Sequence, residues 1–257
     1  MKVTFLGTGT SQGVPSIGCN SPVCLSTDPR DKRLRCSIHL EVKGLSIVID
    51  TGPDFRYQMI RAGINRLDAI LFTHEHRDHT AGLDDMRPFN YLQNAAVPVY
   101  LRQRVMDSFY KQYDYIFSEF QYPGIPELEF NIIENKPFKI DGVEFIPIEV
   151  MHYKLPVLGF RIGDFTYITD ANIISEAEIE KIRGSDTVVL NALRQEPHIS
   201  HFTLVEAVEM AKKIGAPNTY FTHMSHQIGF HEEVNLSLPI GMQLAYDGLV
   251  LEFPNPA

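Results

Sequence analysis

Cysteine is scarce in this chain, with only Cys19, Cys24 and Cys36 among 257 residues. An odd and low count of this kind does not suit a disulfide framework. The chain also lacks any apolar run that approaches the roughly 20 residues needed to cross a bilayer. Its N-terminal stretch has no long apolar segment, which argues against a secretory signal peptide. These absences predict a protein of the reducing cytoplasm that makes no membrane contact.

Positive charge is also in short supply. The chain has 23 lysines and arginines against 32 aspartates and glutamates, which gives a net charge of -9. It therefore lacks the overall attraction to polyanions that many nucleic-acid-binding proteins use, although a local basic patch is compatible with this balance. Nucleic acid is thus an unfavoured partner, but it is not excluded.

Short apolar segments with strand periodicity alternate with a few helical ones, and no repeat or low-complexity stretch interrupts them. Predicted strands cover Lys2–Leu6, Ser37–Lys43, Leu45–Ile49, Ala69–Phe72, Val97–Leu101, Phe130–Ile133, Phe138–Ile140, Val143–Val150, Leu158–Ile162, Thr166–Ile168, Thr187–Leu190, Thr219–Thr222 and Leu249–Phe253. Predicted helices cover Phe55–Ala62 and Arg104–Ile116, and two more follow capping boxes at Ser175/Glu178 and Thr203/Glu206. This order predicts an α/β fold of mixed sheets with outer helices. The irregular stretch Tyr115–Glu127 is either a lid or rim loop or an ordinary surface connection.

The segment His74–His79, with the sequence HEHRDH, places three imidazoles and two carboxylates within six residues after a predicted strand. Histidine and carboxylate are ligands that zinc, manganese and iron accept. His74 and His76 point the same way in an extended segment, whereas a turn would aim Asp78 and His79 at a second point. A solvated loop that is rich in histidine by chance is the competing interpretation, and the density of ligands argues against it. The segment therefore predicts ligands for two metal ions.

Three further polar residues, His152, Asp170 and His223, each stand just beyond a predicted apolar strand. Loops converge at strand ends, so these are the positions at which additional ligands are expected. Each alone could be a surface residue or a satisfied core residue. As a set with one shared placement, they are much stronger candidates for the remaining ligands.

This ligand pattern, H-x-H-x-D-H followed by His, Asp and His, resembles the metallo-β-lactamase-fold superfamily over essentially the whole chain. The resemblance implies one domain over residues 1–257, a four-layer αβ/βα sandwich with two mixed sheets, and two divalent ions. These ions are zinc or manganese, and iron accepts the same ligands. It assigns His74, His76 and His152 to one ion and Asp78, His79 and His223 to the other, with Asp170 bridging them.

Four further segments resemble the phosphodiesterase branch of that superfamily: Leu6–Pro15, Gly18–Cys19, Asp28–Arg35 and Asp50–Arg56. This branch includes cyclic-phosphate phosphodiesterases of the phosphonate-degradation (carbon–phosphorus lyase) pathway, and tRNA 3′-processing endonucleases are broader relatives. The resemblance implies hydrolysis of small or cyclic phosphodiesters by a hydroxide that bridges the metals, oriented by Asp78. Relatives of this kind are commonly homodimers.

The segment Pro197–Thr203, PHISHFT, is also shared with the phosphodiesterase branch. The resemblance implies that His201 is a general acid or phosphate binder, and an imidazolium can protonate a leaving alkoxide near neutral pH. The alternative is that His201 only precedes a helix. His198 and Arg194 are candidate substrate-binding residues. Arg194 and Arg35 are equally suited to phosphate contacts and to ordinary salt bridges.

A candidate second metal site, of the structural kind, departs from the pattern found in the relatives. Relatives of the phosphonate pathway hold a zinc with a C-x-C-x-x-C run and a later histidine, and Cys19, Cys24 and His226 occupy matching places here. Ser21 stands where the middle cysteine would be, and a hydroxyl is a poor zinc ligand. The favoured expectation is a loop with free thiols. Cys36 starts a strand and is expected in the core.

Four other functions remain open. The same kind of metal site hydrolyses thioesters or lactones elsewhere in the superfamily, and some members carry out redox or cofactor-biosynthesis chemistry with iron. A tRNA 3′-processing endoribonuclease usually has a basic arm, whereas Arg102–Glu127 is short and mixed in charge. A non-catalytic binding protein on this fold is disfavoured by the intact ligand set. The expected substrate is a small phosphodiester.

Overall fold

Two mixed β-sheets form the framework of the computed structural model, which describes residues 1–119 and 124–256. The strands are β1 (Lys2–Gly7), β2 (Ser37–Val42), β3 (Leu45–Ile49), β4 (Ala69–Leu71), β5 (Val97–Leu101), β6 (Leu128–Ile132), β7 (Phe138–Ile140), β8 (Val143–His152), β9 (Leu155–Ile162), β10 (Phe165–Tyr167), β11 (Thr187–Asn191), β12 (Asn218–Thr222), β13 (Met242–Leu244) and β14 (Val250–Glu252). In the described part of the chain, the first sheet has the order β14-β1-β2-β3-β4-β5-β6 and the second β13-β12-β11-β10-β9-β8-β7. Both sheets combine parallel and antiparallel pairs, as the sequence predicts.

Helices cover the outer face of each sheet. They are α1 (Pro22–Leu25), α2 (Phe55–Ala62), α3 (Arg77–Thr80), α4 (Arg87–Gln93), α5 (Gln103–Gln112), α6 (Glu176–Ile182), α7 (Leu204–Ile214) and α8 (His231–Ser237), with 3₁₀ turns at Pro29–Asp31, Leu83–Met86, Asp114–Ile116 and His226–Ile228. No helix within residues 1–119 and 124–256 has the length and apolar character that a membrane span requires.

Three apolar cores hold the layers together. Between the sheets, side chains such as Phe5 and Leu40 of the first sheet share one buried cluster with Phe145 and Phe160 of the second. A second cluster joins the first sheet to α2, α4 and α5, and a third joins the other sheet to α6, α7 and α8. Helices, sheet, sheet and helices therefore form four layers, which confirms the predicted sandwich.

Several element boundaries differ from the prediction. β8 extends through His152 and β9 begins at Leu155, because their antiparallel pairing continues to the register His152↔Leu155. The helix expected to reach Ile116 ends at Gln112, and a 3₁₀ turn follows. Of the stretch interpreted as a lid or rim loop, residues 120–123 lie outside the described part of the chain.

The two expected capping boxes have different outcomes. Thr203 and Glu206 form a full reciprocal capping box at the start of α7. Ser175 also caps its helix, since its hydroxyl accepts from the Glu178 N–H. The Glu178 carboxylate is instead engaged by the Glu149 N–H and by Asn135. The second box is therefore only half formed.

Both sheets end at a common edge, where several strands are followed by a residue with positive φ. Asp50 after β3, Asp170 after β10 and His223 after β12 have φ values of 65°, 54° and 58°. Aspartate and histidine enter this left-handed region more readily than most side chains do. The sharp turns let polar side chains from different strands converge at that edge.

Candidate metal centre

Seven predicted ligand residues come together at this shared edge in two groups. The ligand atoms within each group lie within 4.8 Å of one another. The first group contains His74, His76, His152 and Asp170, and the second contains Asp78, His79, Asp170 and His223. This grouping matches the division that the sequence resemblance implies.

Asp170 lies where the two groups meet. Its Oδ2 atom is 3.5 Å from the Nε2 atom of His74 in the first group and 3.3 Å from the Nε2 atom of His79 in the second. Its Oδ1 atom is 2.8 Å from the Nδ1 atom of His223. A carboxylate in this position is suited to contact two cations at once.

The buried nitrogen atoms of this cluster fit a metal centre. Within the described residues, the Nε2 atoms of His74, His79 and His223 are buried and have no hydrogen-bond partner. Leaving such polar atoms unpaired is costly, so their convergence needs an explanation. A set of imidazole nitrogens and carboxylate oxygens suits zinc, manganese or iron, and bound cations would satisfy these atoms.

The electrostatics of the cluster favour cation binding. Burial, together with the neighbouring His79 and His76, holds the pKa of His74 well below its usual value, so this imidazole is in the neutral form that binds metal. Burial opposes charge on His79 as well, yet Asp170, Asp78 and Asp50 outweigh it and raise the pKa of His79 well above normal. Three carboxylates around one imidazole thus create a local negative potential that a metal ion would neutralise.

Asp50 supports the centre from behind, a role that the sequence analysis did not assign. Its Oδ2 atom accepts a hydrogen bond of 2.7 Å from the Nδ1 atom of His79, and both oxygens accept from Thr73. With Nδ1 as the donor, the Nε2 atom of His79 is free to bind a metal. Asp50 follows the apolar strand β3, so the criterion that selected Asp170 could have found it.

We expect Asp50→Asn to weaken metal binding without unfolding the protein. Asparagine tolerates the positive φ of Asp50, but an uncharged amide cannot orient the His79 imidazole as a carboxylate does. Loss of such a supporting partner typically lowers metal affinity about 10-fold to 100-fold. Titration with a competing chelator measures the change, and Asp164→Asn in the exposed β9–β10 turn is the matched control. Equal affinities for Asp50→Asn and the wild type would contradict this role.

His201 lies beside both ligand groups. Its ring centroid is 4.5 Å from that of His152 and 4.9 Å from that of His223, and its Nε2 atom is 3.6 Å from the Oδ2 atom of Asp170. The same Nε2 atom is buried without a hydrogen-bond partner among the described residues. On the opposite side of the ring, the Nδ1 atom is 3.1 Å from the Nδ1 atom of His198. The Ser200 hydroxyl lies 3.0 Å from the same Nδ1 atom of His201, so this nitrogen has two polar neighbours.

The two predicted phosphate-binding arginines already have partners within the protein. The Arg194 guanidinium donates to the carbonyl oxygens of Glu196 and Pro197 and to the side chain of Gln227. It therefore braces the loop that carries His198 and His201, and its contact with substrate stays a prediction. Arg35 pairs with Asp54 at 3.3 Å.

The predicted structural-metal residues also come together. The ligand atoms of Cys19, Cys24 and His226 lie within 4.8 Å of one another. The Ser21 hydroxyl is engaged in capping α1, where it accepts from the Cys24 N–H at 3.3 Å. Hydrogen bonds from Cys24 and Ser21 lower the pKa of Cys19 to about 7. Two thiolates and one imidazole do not make a closed zinc site without a fourth ligand from the protein. Cys36 is buried, as expected.

Comparison with known proteins identifies relatives along most of the chain. A Porphyromonas gingivalis protein named octanoyltransferase is 40% identical over 252 residues, which cover 97% of this chain and 51% of that protein. The chain thus spans about half the length of this relative. Ribonuclease Z of Anoxybacillus flavithermus is 24% identical, with 88% of this chain and 87% of that protein covered.

A solved structure gives a close match to the fold. A protein described as a new diphosphatase from the PhnP family superposes with a TM-score of 0.93 at 43% sequence identity, covering 99% of this chain and 98% of that one. In addition, the family described as "Beta-lactamase superfamily domain" matches residues 46–224, which include each residue of the two ligand groups. The chain therefore belongs to the beta-lactamase superfamily, as a hydrolase with the metallo-β-lactamase fold and a histidine–aspartate cluster that fits a metal centre.

Proposed function

We propose that this protein hydrolyses phosphodiester-type P–O bonds of small substrates at a dinuclear metal centre. The observation that carries the proposal is the placement of His201, whose unpartnered Nε2 atom lies 3.6 Å from Asp170, the residue shared by both ligand groups. When bound, two divalent ions supply Lewis-acid activation of the phosphoryl group and lower the pKa of water.

The residues of the chain then have distinct tasks. His201 protonates the leaving oxygen from its Nε2 atom, and His198 contacts the opposite ring nitrogen and orients the imidazole. Asp78 orients the attacking water in addition to binding metal. Asp50 and the Ser200 carbonyl fix the imidazole orientations of His79 and His152. The centre is thus preorganised before the substrate arrives.

The relatives support P–O bond hydrolysis. The diphosphatase and ribonuclease Z are both named for reactions at phosphate, and the diphosphatase matches nearly the whole chain. We do not favour tRNA as the substrate, because Arg102 and Arg104 in the expected arm region are paired with Glu149 and Glu75. A reducing compartment suits the three free cysteines.

Hydrolysis of an acyl ester or thioester is the second candidate. It is favoured by the relative named octanoyltransferase, which is 40% identical to this chain. The chain matches only about half of that protein, so the acyl-transfer activity can reside in the unmatched half. A direct comparison of substrates separates the two candidates.

The test is hydrolysis of bis(p-nitrophenyl) phosphate by protein stripped with chelator and then supplied with zinc, manganese or iron. We expect turnover only with metal, at two ions per chain, and a third ion if Cys19, Cys24 and His226 bind one. An octanoyl thioester is assayed in parallel. Folded, metal-loaded protein that cleaves the thioester and no phosphodiester would overturn the proposal in favour of the second candidate.

A further inference from the structure

A buried chain of hydrogen bonds runs behind the metal centre and connects its two ligand groups. The Oδ2 atom of Asp50 lies 2.7 Å from the Nδ1 atom of His79 and 2.8 Å from the Oγ1 atom of Thr73. The same Oγ1 atom lies 2.9 Å from the Nδ1 atom of His74. All four side chains are buried. The chain therefore joins His74 of the first group to His79 of the second, through the ring nitrogens opposite their unpartnered Nε2 atoms.

The direction of each hydrogen bond in this chain follows from the chemistry of its members. The Thr73 N–H donates to the Oδ1 atom of Asp50 at 2.9 Å, so three donors converge on this carboxylate and both its oxygens accept. A hydroxyl group has one hydrogen, and Thr73 gives it to Asp50. The Thr73 oxygen is then left to accept, so the Nδ1 atom of His74 carries the proton. Its Nε2 atom is thereby the unprotonated nitrogen that binds metal.

The Thr73 hydroxyl is held firmly in this position. Both backbone groups of Thr73 are engaged, because its N–H donates to Asp50 and its carbonyl oxygen accepts from the Leu158 N–H of β9 at 3.1 Å. Threonine is branched at Cβ, which restricts rotation of the side chain. The hydroxyl is therefore placed between Asp50 and His74 before any ion binds.

We propose that Thr73 is a positioning residue that fixes the tautomer of His74, and that Asp50 thereby orients one ligand in each group. This inference rests on the dinuclear centre of the proposed function, and it holds whichever bond that centre hydrolyses. Asp170 joins the two groups on the side of the ligand atoms. Asp50 joins them from behind, directly at His79 and through the Thr73 hydroxyl at His74.

Thr73→Val tests the hydroxyl, because valine keeps the branched shape and replaces the hydroxyl with a methyl group. The Nδ1 atom of His74 then has no partner at this position, and the imidazole is no longer held in its metal-binding tautomer. We expect the affinity for the ion of the first group to fall about 10-fold to 100-fold, as is typical for loss of such a partner. The ion of the second group should be affected less, since His79 keeps its bond to Asp50. Thr73→Ser retains the hydroxyl and should restore the affinity.

Asp50→Asn tests the other end of the chain. The Thr73 N–H keeps the amide oxygen at the position of Oδ1, so the amide NH₂ group takes the place of Oδ2. This group donates to the Thr73 hydroxyl and to the Nδ1 atom of His79, which reverses both hydrogen bonds. The Thr73 hydrogen is then available to His74, and the reversed chain favours protons on the Nε2 atoms of both imidazoles. Asp50→Asn should therefore weaken both ions, whereas Thr73→Val weakens mainly one.

The measurement is the pair of successive zinc dissociation constants, obtained by competition with a chelating dye. Proton NMR of the zinc-loaded protein gives a second readout. The hydrogen-bonded Nδ1 proton of His74 should exchange with solvent slowly in the wild type and in Thr73→Ser, and faster in Thr73→Val. Thr166→Val is the matched control, because Thr166 is a buried threonine whose hydroxyl pairs with Ser185 at 2.8 Å and which belongs to neither ligand group. It should keep both zinc affinities.

Two results would overturn the inference: Thr73→Val that binds both ions as tightly as the wild type, or Thr73→Ser that loses as much affinity as Thr73→Val. Both leave the proposed function standing, because the wild type still binds two ions. A folded wild-type protein that binds no zinc, manganese or iron at the centre would refute the inference and the proposed function together.

Discussion

Asp170→Asn is expected to remove both metal ions and to lower kcat/KM by a thousandfold or more. Asp170 is the carboxylate that both ligand groups share, so its loss weakens both ions at once. The ions contribute several kcal/mol to transition-state stabilisation, and about 4 kcal/mol corresponds to a factor of roughly a thousand. Metal analysis of the purified variant together with kcat/KM on bis(p-nitrophenyl) phosphate measures the effect.

The design of this variant separates metal loss from unfolding. Asparagine has nearly the shape of aspartate and tolerates the φ of 54° at position 170. Asp164→Asn, a change of the same type in the exposed β9–β10 turn, should retain both ions and full activity. His76→Ala should lose the ion of the first group more readily than that of the second, because His76 belongs only to the first. An Asp170→Asn enzyme with two ions and normal turnover would show that Asp170 is not a bridging ligand.

His201→Ala is expected to retain both ions and to slow the cleavage of phosphodiesters that have alkoxide leaving groups by about 100-fold or more, which is typical for the loss of a general acid. A p-nitrophenolate leaving group is a stable anion that needs no proton. The same variant should therefore lose far less activity on bis(p-nitrophenyl) phosphate. The measurement is kcat for both substrates at matched metal content.

Two comparisons make the His201 experiment specific. His198→Ala leaves the Nε2 atom of His201 in place and removes only its neighbour at Nδ1, so its loss should be smaller. Full activity of His201→Ala on both substrates would exclude any role for His201. Equal losses on both substrates would identify it as a positioning residue rather than as the proton donor.

The sequence indicates the ligands because each stands at or just beyond the end of an apolar strand, and strand ends from two sheets meet at one edge. His152, Asp170 and His223 are far apart in the chain, yet their shared placement was sufficient to group them. Asp50 shares that placement, but its function depends on a hydrogen bond to His79, 29 residues away. The position of Asp50 after a strand marks it as a candidate, but only its hydrogen bond to His79 shows that it supports a metal ligand.

The cavity beside the metal centre, which Arg104 and Lys154 line, could not be predicted from sequence. Arg104 lies one residue after the start of α5, and Lys154 lies in a turn whose position depends on the extended pairing of β8 and β9. The apolar pattern of the sequence stops at Val150, so it predicts a β8 that lacks its last two residues, Met151 and His152. Arg104 and Lys154 come to line one cavity only after the layers have packed.

The shared edge of the two sheets has a consequence for the stability of the folded protein in the cell. Four ligands follow a strand of the first sheet, His74, His76, Asp78 and His79, and three come from the second, His152, Asp170 and His223. Bound ions would therefore link the part of the molecule built on the first sheet to the part built on the second. Any ligand that binds only the folded state adds to its stability, by about 2.7 kcal/mol at a concentration 100 times its dissociation constant. When metal is scarce, the protein would be less active, and it would also unfold more easily and be degraded by proteases faster. Metal supply would therefore affect the amount of the protein as well as its rate of catalysis.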